Sequence, residues 1–239
     1  MAGLGTAINV AGILAGGLGG LAFGKRLGKG YQDTLMNANG ICVLFLGIGG
    51  CLEKMLTMGE EGLESRGTMM MIGCFALGAL LGEWMNIEGR MEKFGEWLKK
   101  ETRNEGDARF VDGFVTASLT VCIGAMAVVG SIQDGISGDY SILAAKAVLD
   151  MIIVLVMTAS MGKGCIFSAV PVGIFQGVIT LAAGLLRPLL TAQAMDNLSL
   201  TGSMLIFCVG VNLIWGKKIK VANLLPAIFL AVGWALLPL

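Results

Sequence analysis

Eight long apolar segments alternate with short polar ones along the chain. A helix needs about 20 predominantly apolar residues to cross the hydrocarbon core of a bilayer. The segments that approach this length cover residues 3–24, 38–56, 69–87, 110–131, 142–162, 165–186, 198–216 and 221–238. They are too long and too uniformly apolar for the alternating strands of a membrane barrel. The pattern therefore predicts an all-α membrane protein of about eight transmembrane helices, in a single polytopic membrane domain over residues 1–239.

The basic residues between these spans predict the orientation of the chain. Lysine and arginine concentrate in cytoplasmic loops. Thirteen of the 17 basic residues follow odd-numbered spans; they are Lys25, Arg26, Lys29, Arg90, Lys93, Lys99, Lys100, Arg103, Arg109, Lys163, Lys217, Lys218 and Lys220. We therefore expect a multi-pass protein of the bacterial cell (inner) membrane, with both termini outside.

One long polar segment, residues 88–109, follows the third span. Met91, Phe94, Trp97 and Leu98 recur within it at helical spacing. A short amphipathic helix with large apolar side chains on one face binds a membrane surface. We expect a cytoplasmic interfacial helix here, and a solvated extension of the third span is the alternative.

Composition narrows the function classes. Hydrophobic residues make up 55% of the chain, and its net charge is zero, so no nucleic-acid partner is predicted. The chain has no histidine, which excludes Ser-His-Asp and Cys-His catalysis and histidine metal sites within it. Its six cysteines form no CxxC pair, so we expect no metal site and no cofactor. Because HExxH and GxSxG motifs are missing as well, we do not expect an enzyme.

Glycine is frequent, and it is regularly spaced in the first span and just after it. Gly12, Gly16, Gly20, Gly24 and Gly28 recur every four residues. Such a stripe gives a flat helix face on which another backbone can pack closely. We expect most of this packing within the fold, and a homo-oligomer contact is the alternative.

Short matches relate the two ends of the chain. Gly40-Ile-Cys-Val-Leu-Phe-Leu-Gly47 resembles Gly202-Ser-Met-Leu-Ile-Phe-Cys-Val-Gly210 with a one-residue slip, and Leu81-Gly82-Glu83-Trp84 resembles Val232-Gly233-Trp234. The matches pair spans 1–3 with spans 6–8, an odd offset that gives the two copies opposite orientations. Inverted repeats of this kind are typical of secondary transporters, although apolar sequences also resemble one another by chance.

The repeat hypothesis divides the membrane domain into four parts. They are a first repeat-like unit (1–87), the cytoplasmic interfacial segment (88–109), a central helix pair (110–162) and a second repeat-like unit (165–239).

Ionisable groups inside a bilayer are costly and indicate function by default. Asp150 lies near the middle of the fifth span, with Lys146 one helical turn earlier. The functional interpretation is that Asp150 binds a cation or proton and that Lys146 is its charge partner and competitor. A pair that only neutralises itself is the alternative.

Other polar residues are candidates for the same site. Segment 130–139, at the outer end of span four, contains three glycines, two serines and two aspartates, with Gln133 and Asp134 side by side. This composition predicts a helix break after Gly130 with oxygen ligands for a hard cation, and an ordinary Asp-Gly turn is the alternative. Three amides lie in other spans and either join the site or bond neighbouring helices; they are Asn9, Gln176 and Asn212.

Several motifs resemble one protein family. They are Gly3-Leu-Gly-Thr6-Ala-Ile-Asn9, Gly113-Phe-Val-Thr116-Ala-Ser118, Gly124-Ala-Met126-Ala-Val-Val-Gly130-Ser-Ile-Gln133-Asp134-Gly135, Lys146-Ala-Val-Leu-Asp150, Gln176-Gly177 and Asn223-Leu-Leu-Pro226-Ala. Together they resemble the prokaryotic membrane-protein family called domain of unknown function 554, the YqgA-like proteins, over essentially the whole chain. The resemblance implies a multi-span inner-membrane protein for which transport is the usual suggestion, without a substrate.

Two functions are consistent with these patterns. The first is a secondary transporter or channel for a small ion or solute, with Na⁺ or H⁺ as the simplest ligand. Its site would lie at the membrane midplane between the repeats and include Asn9, Gln133, Asp134, Asp150, Gln176 and Asn212, with Lys146 as charge partner. The alternative is a non-transporting membrane scaffold or regulatory protein that docks a partner through residues 88–109.

Overall fold

Helices dominate the computed structural model of the chain, which describes residues 2–24, 26–59, 62–189 and 191–236. Lys25, one of the basic residues used for the orientation, lies outside these ranges, as do Met1 and residues 237–239. The α-helices within the ranges are α1 (Leu4–Gly24), α2 (Lys29–Met55), α3 (Thr68–Met85), α4 (Ile87–Glu101), α5 (Phe110–Cys122), α6 (Ala125–Ser137), α7 (Ser141–Met161), α8 (Ala169–Leu181), α9 (Ala183–Leu186), α10 (Ala192–Trp215) and α11 (Pro226–Trp234). Turns of 3₁₀ helix cover Lys163–Ser168, Arg187–Leu189 and Val221–Leu224.

Among the described residues, six helical segments are long and apolar enough to cross a membrane. They are α1, α2, α3, α7, α10 and the segment that joins the first 3₁₀ turn to α8. The bent pair of α5 and α6 makes a seventh if it counts as one span, and the apolar stretch Val221–Trp234 is shorter. The all-α membrane architecture is therefore confirmed, whereas the count of eight stays a prediction.

The glycine stripe of α1 packs against α7 of the same chain. A Cβ atom at Gly12, Gly16 or Gly20 would meet the carbonyl oxygen of Ala147, Met151 or Leu155, respectively. Both series advance by four residues in the same direction, so the two helices run parallel. The stripe thus serves close packing within the fold, because only glycine lets the two backbones approach so far.

Helix α2 packs along α10 in the opposite sense. Gly47 faces the backbone of Phe207, and Gly210 faces the backbone of Leu44. As residue numbers rise along α2, the numbers of their neighbours on α10 fall, so the helices are antiparallel. Helices α3 and α11 are antiparallel as well, since Gly73 meets Trp234 and Gly78 meets Ala227.

The fourth span is broken earlier than the sequence predicts. Helix α5 ends at Cys122, Ile123 and Gly124 are not helical, and Gly124 has φ +152°. The predicted break after Gly130 is wrong, because α6 continues to Ser137. Gly130 instead packs against Leu143 of α7, and Gly135 packs against the carbonyl group of Thr180 on α8. The central segment thus contains α5 and α6, which together form the broken fourth span, and α7.

Residues 88–109 begin with helix α4, as predicted, but its apolar side chains point two ways. Leu98 is buried, Met91 is half-buried, and Gly95 packs against Phe114 of α5. Phe94 and Trp97 are exposed and stacked, with ring centroids 5.6 Å apart. The membrane-surface position of α4 stays a prediction, which the two exposed rings favour.

A short hairpin joins α2 to α3, which the all-helical pattern did not predict. Strands β1 (Leu56–Gly59) and β2 (Gly62–Ser65) pair antiparallel, with Leu56 opposite Ser65.

Candidate ion site at the broken fourth span

A buried ion pair lies in the middle of α7. Lys146 Nζ donates to both carboxylate oxygens of Asp150, at 2.7 and 2.6 Å, across one helical turn. The two residues are only 6% and 3% exposed. Asp150 is the tenth of the 21 residues of α7, so the pair is far from both helix ends.

The same ammonium group binds the end of the first half of the broken span. Lys146 Nζ donates to the carbonyl oxygen of Val121 at 2.8 Å. Val121 lies in the last turn of α5, whose axis is bent by 63° from that of α6. The last carbonyl groups of a helix have no partners within the helix and carry partial negative charge. A cation therefore has a physical reason to lie at this break.

Asn9 lies on α1 beside the Asp150 carboxyl group and is completely buried. Within the part of the chain that the structure describes, neither its amide nitrogen nor its amide oxygen makes a close hydrogen bond, so its contact with the Asp150 carboxyl group is a longer polar contact. Buried polar groups in folded proteins are rarely left without a partner, and each exception calls for an explanation such as a water or an ion. Asn9 thus adds a buried amide group next to the charge pair.

Gln176 is a second buried amide of this kind. It is 1% exposed on α8, and its two polar side-chain atoms find no partner among the described residues. Helix α8 crosses α1 where Gly173 meets Val10, one residue from Asn9. Gln176 therefore lies on the helix that packs against α1 near Asn9.

Asp134 has a partner that the sequence did not reveal. Its Oδ2 accepts hydrogen bonds from the backbone N–H groups of Gly3 and Gly5, at 3.0 and 3.1 Å. These groups lie at the N-terminus of α1, where N–H groups have no partners within the helix and a negative charge is favourable. Asp134 thus fixes the start of α1 and, through it, the helix that carries Asn9.

The remaining two predicted site residues lie apart from the charge pair. Gln133 is exposed on α6. Asn212, near the end of α10, donates to the carbonyl oxygen of Ile219 and accepts from the N–H groups of Lys218 and Ile219. The structure thus brings Asn9, Lys146 and Asp150 together. Binding of a ligand by any of the predicted residues stays a prediction.

A cavity of about 320 Å³ leads toward the break from one end of the molecule. Its charged lining consists of Glu88, Glu92, Arg109, Asp112 and Lys217, and it extends to Leu119 of α5. Leu119 precedes Val121 by two residues, which is about 3 Å along a helix. The cavity ends at Leu119, and Val121, Lys146 and Asp150 do not line it.

Ionic contacts at the mouth of this cavity connect α4 to the segment after α10. Glu88 accepts from the N–H group of Ala222 at 3.0 Å, and Lys217 lies 3.1 Å from Glu88 and also contacts Glu92. Partial burial lowers the pKa of Lys217, but the carboxylates of Glu92 and Glu88 outweigh this effect and raise it overall. The sequence analysis did not predict this network. The motif Asn223-Leu-Leu-Pro226-Ala was a signal for it, because Asn223 accepts a hydrogen bond from the Glu88 N–H group and donates one to Glu83.

The four basic loops come together at this same end. Lys163 donates to Asn104 at 3.1 Å, which joins the loops after spans three and five. A second pocket is lined by Lys29, Arg109 and Lys163, which adds the loop after span one. The ion pair between Lys217 and Glu88 adds the loop after span seven.

Comparison with known proteins identifies the family. The model of the family "Protein of unknown function (DUF554)" matches residues 4–236, so the chain belongs to this family. It is 29% identical over 226 residues to "Uncharacterized membrane protein YdfK" of Bacillus subtilis (strain 168), covering 95% of this chain and 93% of the relative. It is 27% identical over 233 residues to "Uncharacterized protein YqgA" of Escherichia coli (strain K12), covering 96% and 94% of the two chains. No solved structure matches the chain.

Proposed function

We propose that this membrane protein of the DUF554 family is a secondary transporter for a small ion or solute, with Na⁺ or H⁺ as the coupling or transported ion. The observation that carries the proposal is the Lys146–Asp150 pair, buried at the break of the fourth span. Ionisable residues within membrane helices are rare and mark ion pathways by default. Broken helices whose ends face an ion are a recurrent feature of transporter sites. The proposal includes no enzymatic step.

Three helix pairs support an inverted repeat of spans 1–3 and 6–8. Helices α2 and α3 pack antiparallel against α10 and α11, and α1 packs antiparallel against α8. Gly47 and Gly210 are 163 residues apart, and so are Leu44 and Phe207. One two-fold rotation would therefore exchange the contact of Gly47 with Phe207 for that of Gly210 with Leu44. Such an axis in the membrane plane is the symmetry that inverted repeats require.

The cavity supports access to the site from one side. It reaches Leu119 near the break and opens beside charged residues of α4 and of the segment after α10. A transporter in an inward-facing state exposes its midplane site to one aqueous compartment in this way. We infer that this cavity is the inner access route.

The basic loops support the proposed orientation. They follow odd-numbered spans and share one end of the molecule. Positive loops remain in the cytoplasm, so we propose a location in the bacterial inner membrane with this end inside and both termini outside.

Ion flux in proteoliposomes tests the proposed transport. The full chain is reconstituted, a Na⁺ or pH gradient is imposed, and uptake of ²²Na⁺ and the internal pH are followed. We expect the wild type to move Na⁺ or H⁺ and Asp150→Asn to fall to the rate of empty liposomes, because the amide cannot carry the charge. Asp139→Asn, in an exposed loop position, is the matched control and should keep the wild-type rate.

Two results would contradict the proposal. Full flux by Asp150→Asn would remove Asp150 from the site. No flux by the wild type on either gradient, and no uptake of solutes driven by them, would favour the scaffold function.

A further inference from the structure

A single offset of 163 residues relates the two halves of the chain that pack on each other. Val10 of α1 contacts Gly173 of α8, and these two residues are 163 apart. Gly28 and Thr191, which precede the first turns of α2 and α10, have the same separation. It is also the offset that relates the two glycine contacts at the crossing of α2 and α10. One offset therefore holds for two of the three helix pairs that the proposed two-fold axis would relate.

The same offset matches charged residues at the two ends of the α2–α10 pair. Lys54 corresponds to Lys217, and Asp33 corresponds to Asp196. Each aspartate is the fifth residue of its helix, and each lysine lies near the end of the same helix or just after it. Lys54 and Asp33 are 21 residues apart, which is about 30 Å along α2. The axis would therefore exchange the lysine and aspartate of one end for those of the other.

The ion pairs at the two ends nevertheless differ. At the outer end of the proposed orientation, Lys54 Nζ lies 3.1 Å from Asp196, which joins the end of α2 to the start of α10. At the inner end, Lys217 contacts two glutamates of α4 instead. Asp33 has no ionic partner among the described residues. The outer pair is thus formed, whereas its inner counterpart is not.

The inner cavity lies where this inner pair is missing. Its lining includes Met36, on the same face of α2 as Asp33 and one turn further along, and Lys217 after the end of α10. Deeper in the same helix pair, Gly40 packs directly against Ile214. Movement of the two helix ends toward each other would bring Lys217 to Asp33 and close the mouth of the cavity between them.

We propose that these four residues form two alternating ion-pair gates, an outer gate of Lys54 and Asp196 and an inner gate of Asp33 and Lys217. The outer gate is closed and the inner gate is open in this structure. In the opposite state, Lys217 leaves α4 for Asp33 and closes the inner cavity, while Lys54 and Asp196 separate. Inverted repeats provide two such states of opposite access. The inference rests on the proposed transport function and names the contacts that control access to its site.

A zero-length carbodiimide cross-linker tests the gates in the wild-type chain, since it joins a lysine to a carboxylate only where the two meet. The purified full chain is cross-linked in detergent and digested, and the joined peptides are quantified by mass spectrometry. We expect the products Lys54–Asp196 and Lys217–Glu92 from the state described here, and Lys217–Asp33 from the opposite state. Because Lys217 and Asp33 form no ion pair in this structure, their product reports the closed inner gate.

Coupling between the two ends distinguishes a gate from a local contact. Asp196→Asn removes the outer gate and so favours the opposite state. It should raise the yield of the Lys217–Asp33 product about 1.5- to 5-fold, the range that an exposed ion pair contributes. The yield of the Lys217–Glu92 product should fall in the same sample. A purely structural role of Asp196 would leave these yields, at the far end of α2, unchanged.

Two further variants complete the test. Lys54→Gln removes the outer gate from its other side and should act as Asp196→Asn does, which guards against a folding defect of one variant. Lys218→Gln removes an exposed lysine beside the inner gate and, as the matched control, should leave the yields unchanged. The gates would be overturned if neither the wild type nor the two outer-gate variants gave a Lys217–Asp33 product. Inner yields that ignore both outer-gate variants would overturn them as well.

The gates and the proposed transport fail in different ways. Coupled cross-linking at the two ends, without flux of ions or solutes in proteoliposomes, would overturn transport and keep the gates as a conformational switch. Flux of Na⁺ or H⁺ without any Lys217–Asp33 product would keep transport and overturn the gates.

Discussion

Asp134 and Asp150 are both buried carboxyl groups, but they have different partners. Asp134 accepts from two backbone N–H groups at the start of α1, which are fixed dipoles that cannot lose their protons. Asp150 is paired with the Lys146 ammonium group, which lies at the end of a flexible side chain. Asp134 is therefore suited to hold a helix in place, and Asp150 to bind a cation.

Replacement of Asp134 should destabilise the protein without changing the charge pair. Asp134→Ala removes the acceptor at the start of α1 and should lower the free energy of unfolding by about 1 kcal/mol, as other lost helix caps do. Asp134→Asn keeps an oxygen acceptor and should lose less. Thermal unfolding in detergent measures both, with Gln133→Ala as the exposed neighbour control, expected within about 0.5 kcal/mol of the wild type. Equal losses for Asp134→Ala and Gln133→Ala would contradict the capping role.

Local spacing explains which of these partners the sequence could predict. Lys146 and Asp150 are four residues apart on one helix, so their pairing follows from helix geometry alone. The hydrogen bond from the Gly3 N–H group to Asp134 spans 131 positions of the chain. It depends on how α1 and α6 pack, and the sequence pattern alone does not show that packing. The same reason kept the contacts of Glu88 with Ala222 and Lys217 from being predicted.

The close packing of α1 on α7 depends on which glycines face the neighbouring backbone. Gly16 faces the carbonyl oxygen of Met151, whereas Gly19, three residues later, meets only the end of the Leu155 side chain. A four-residue spacing in the sequence predicted the packing face but not the partner helix. Parallel packing on α7 brings Asn9 beside Asp150, so the stripe also positions the candidate site.

Gly16→Ala should therefore destabilise the α1–α7 contact. The new methyl group would meet backbone that cannot rotate away, and overpacking of this kind costs about 1–3 kcal/mol. Gly19→Ala adds the same methyl group 3.4 Å from a side-chain carbon, an ordinary contact distance. It should be neutral or stabilising by about 0.5–1 kcal/mol, since alanine favours a helix over glycine. Unfolding temperatures that are equal for the two variants would contradict the packing argument.

The position of the break between α5 and α6 cannot be predicted from the hydrophobic pattern of the span. Residues 110–131 are predominantly apolar, so the sequence predicted one span with its irregular part further on. Ile123 and Gly124 instead interrupt the helix, and φ +152° at Gly124 is accessible to glycine but strained for other residues. Gly124, Gly130 and Gly135 look alike in sequence, and only their neighbours decide which one bends the chain.

At the scale of the whole molecule, the pairing of helices is consistent with both the proposed two-fold symmetry and the proposed inner access route. The antiparallel pairs α1–α8, α2–α10 and α3–α11 would each be mapped onto themselves by the two-fold axis. The charge pair lies beside the first of them, and the cavity lies beside α10 of the second. The sequence could predict the matched segments but not that they touch each other, because similarity carries no information about contact.

The proposed symmetry predicts matched effects at the crossing of α2 and α10. Gly47→Ala would place a methyl group 2.7 Å from the Phe207 Cα atom, and Gly210→Ala would place one 2.8 Å from the Leu44 backbone nitrogen. Because the two contacts would be exchanged by the axis, each variant should lower the free energy of unfolding by a similar amount, about 1–3 kcal/mol. Gly49→Ala, with no atom within 4 Å of its new methyl group, is the control and should not destabilise.

The double variant decides whether both glycines act on one crossing. Separating α2 from α10 to fit the first methyl group also makes room for the second, so the double variant should lose less than the sum of the single losses. Coupling between neighbouring sites typically amounts to about 0.5–3 kcal/mol, whereas distant sites add within about 0.5 kcal/mol. Thermal unfolding of the four proteins in one detergent gives the coupling energy directly. Strict additivity of the two losses would argue against a shared two-fold crossing, and so would single losses that differ by more than about 2 kcal/mol. Either result would leave chance as the source of the matching segments.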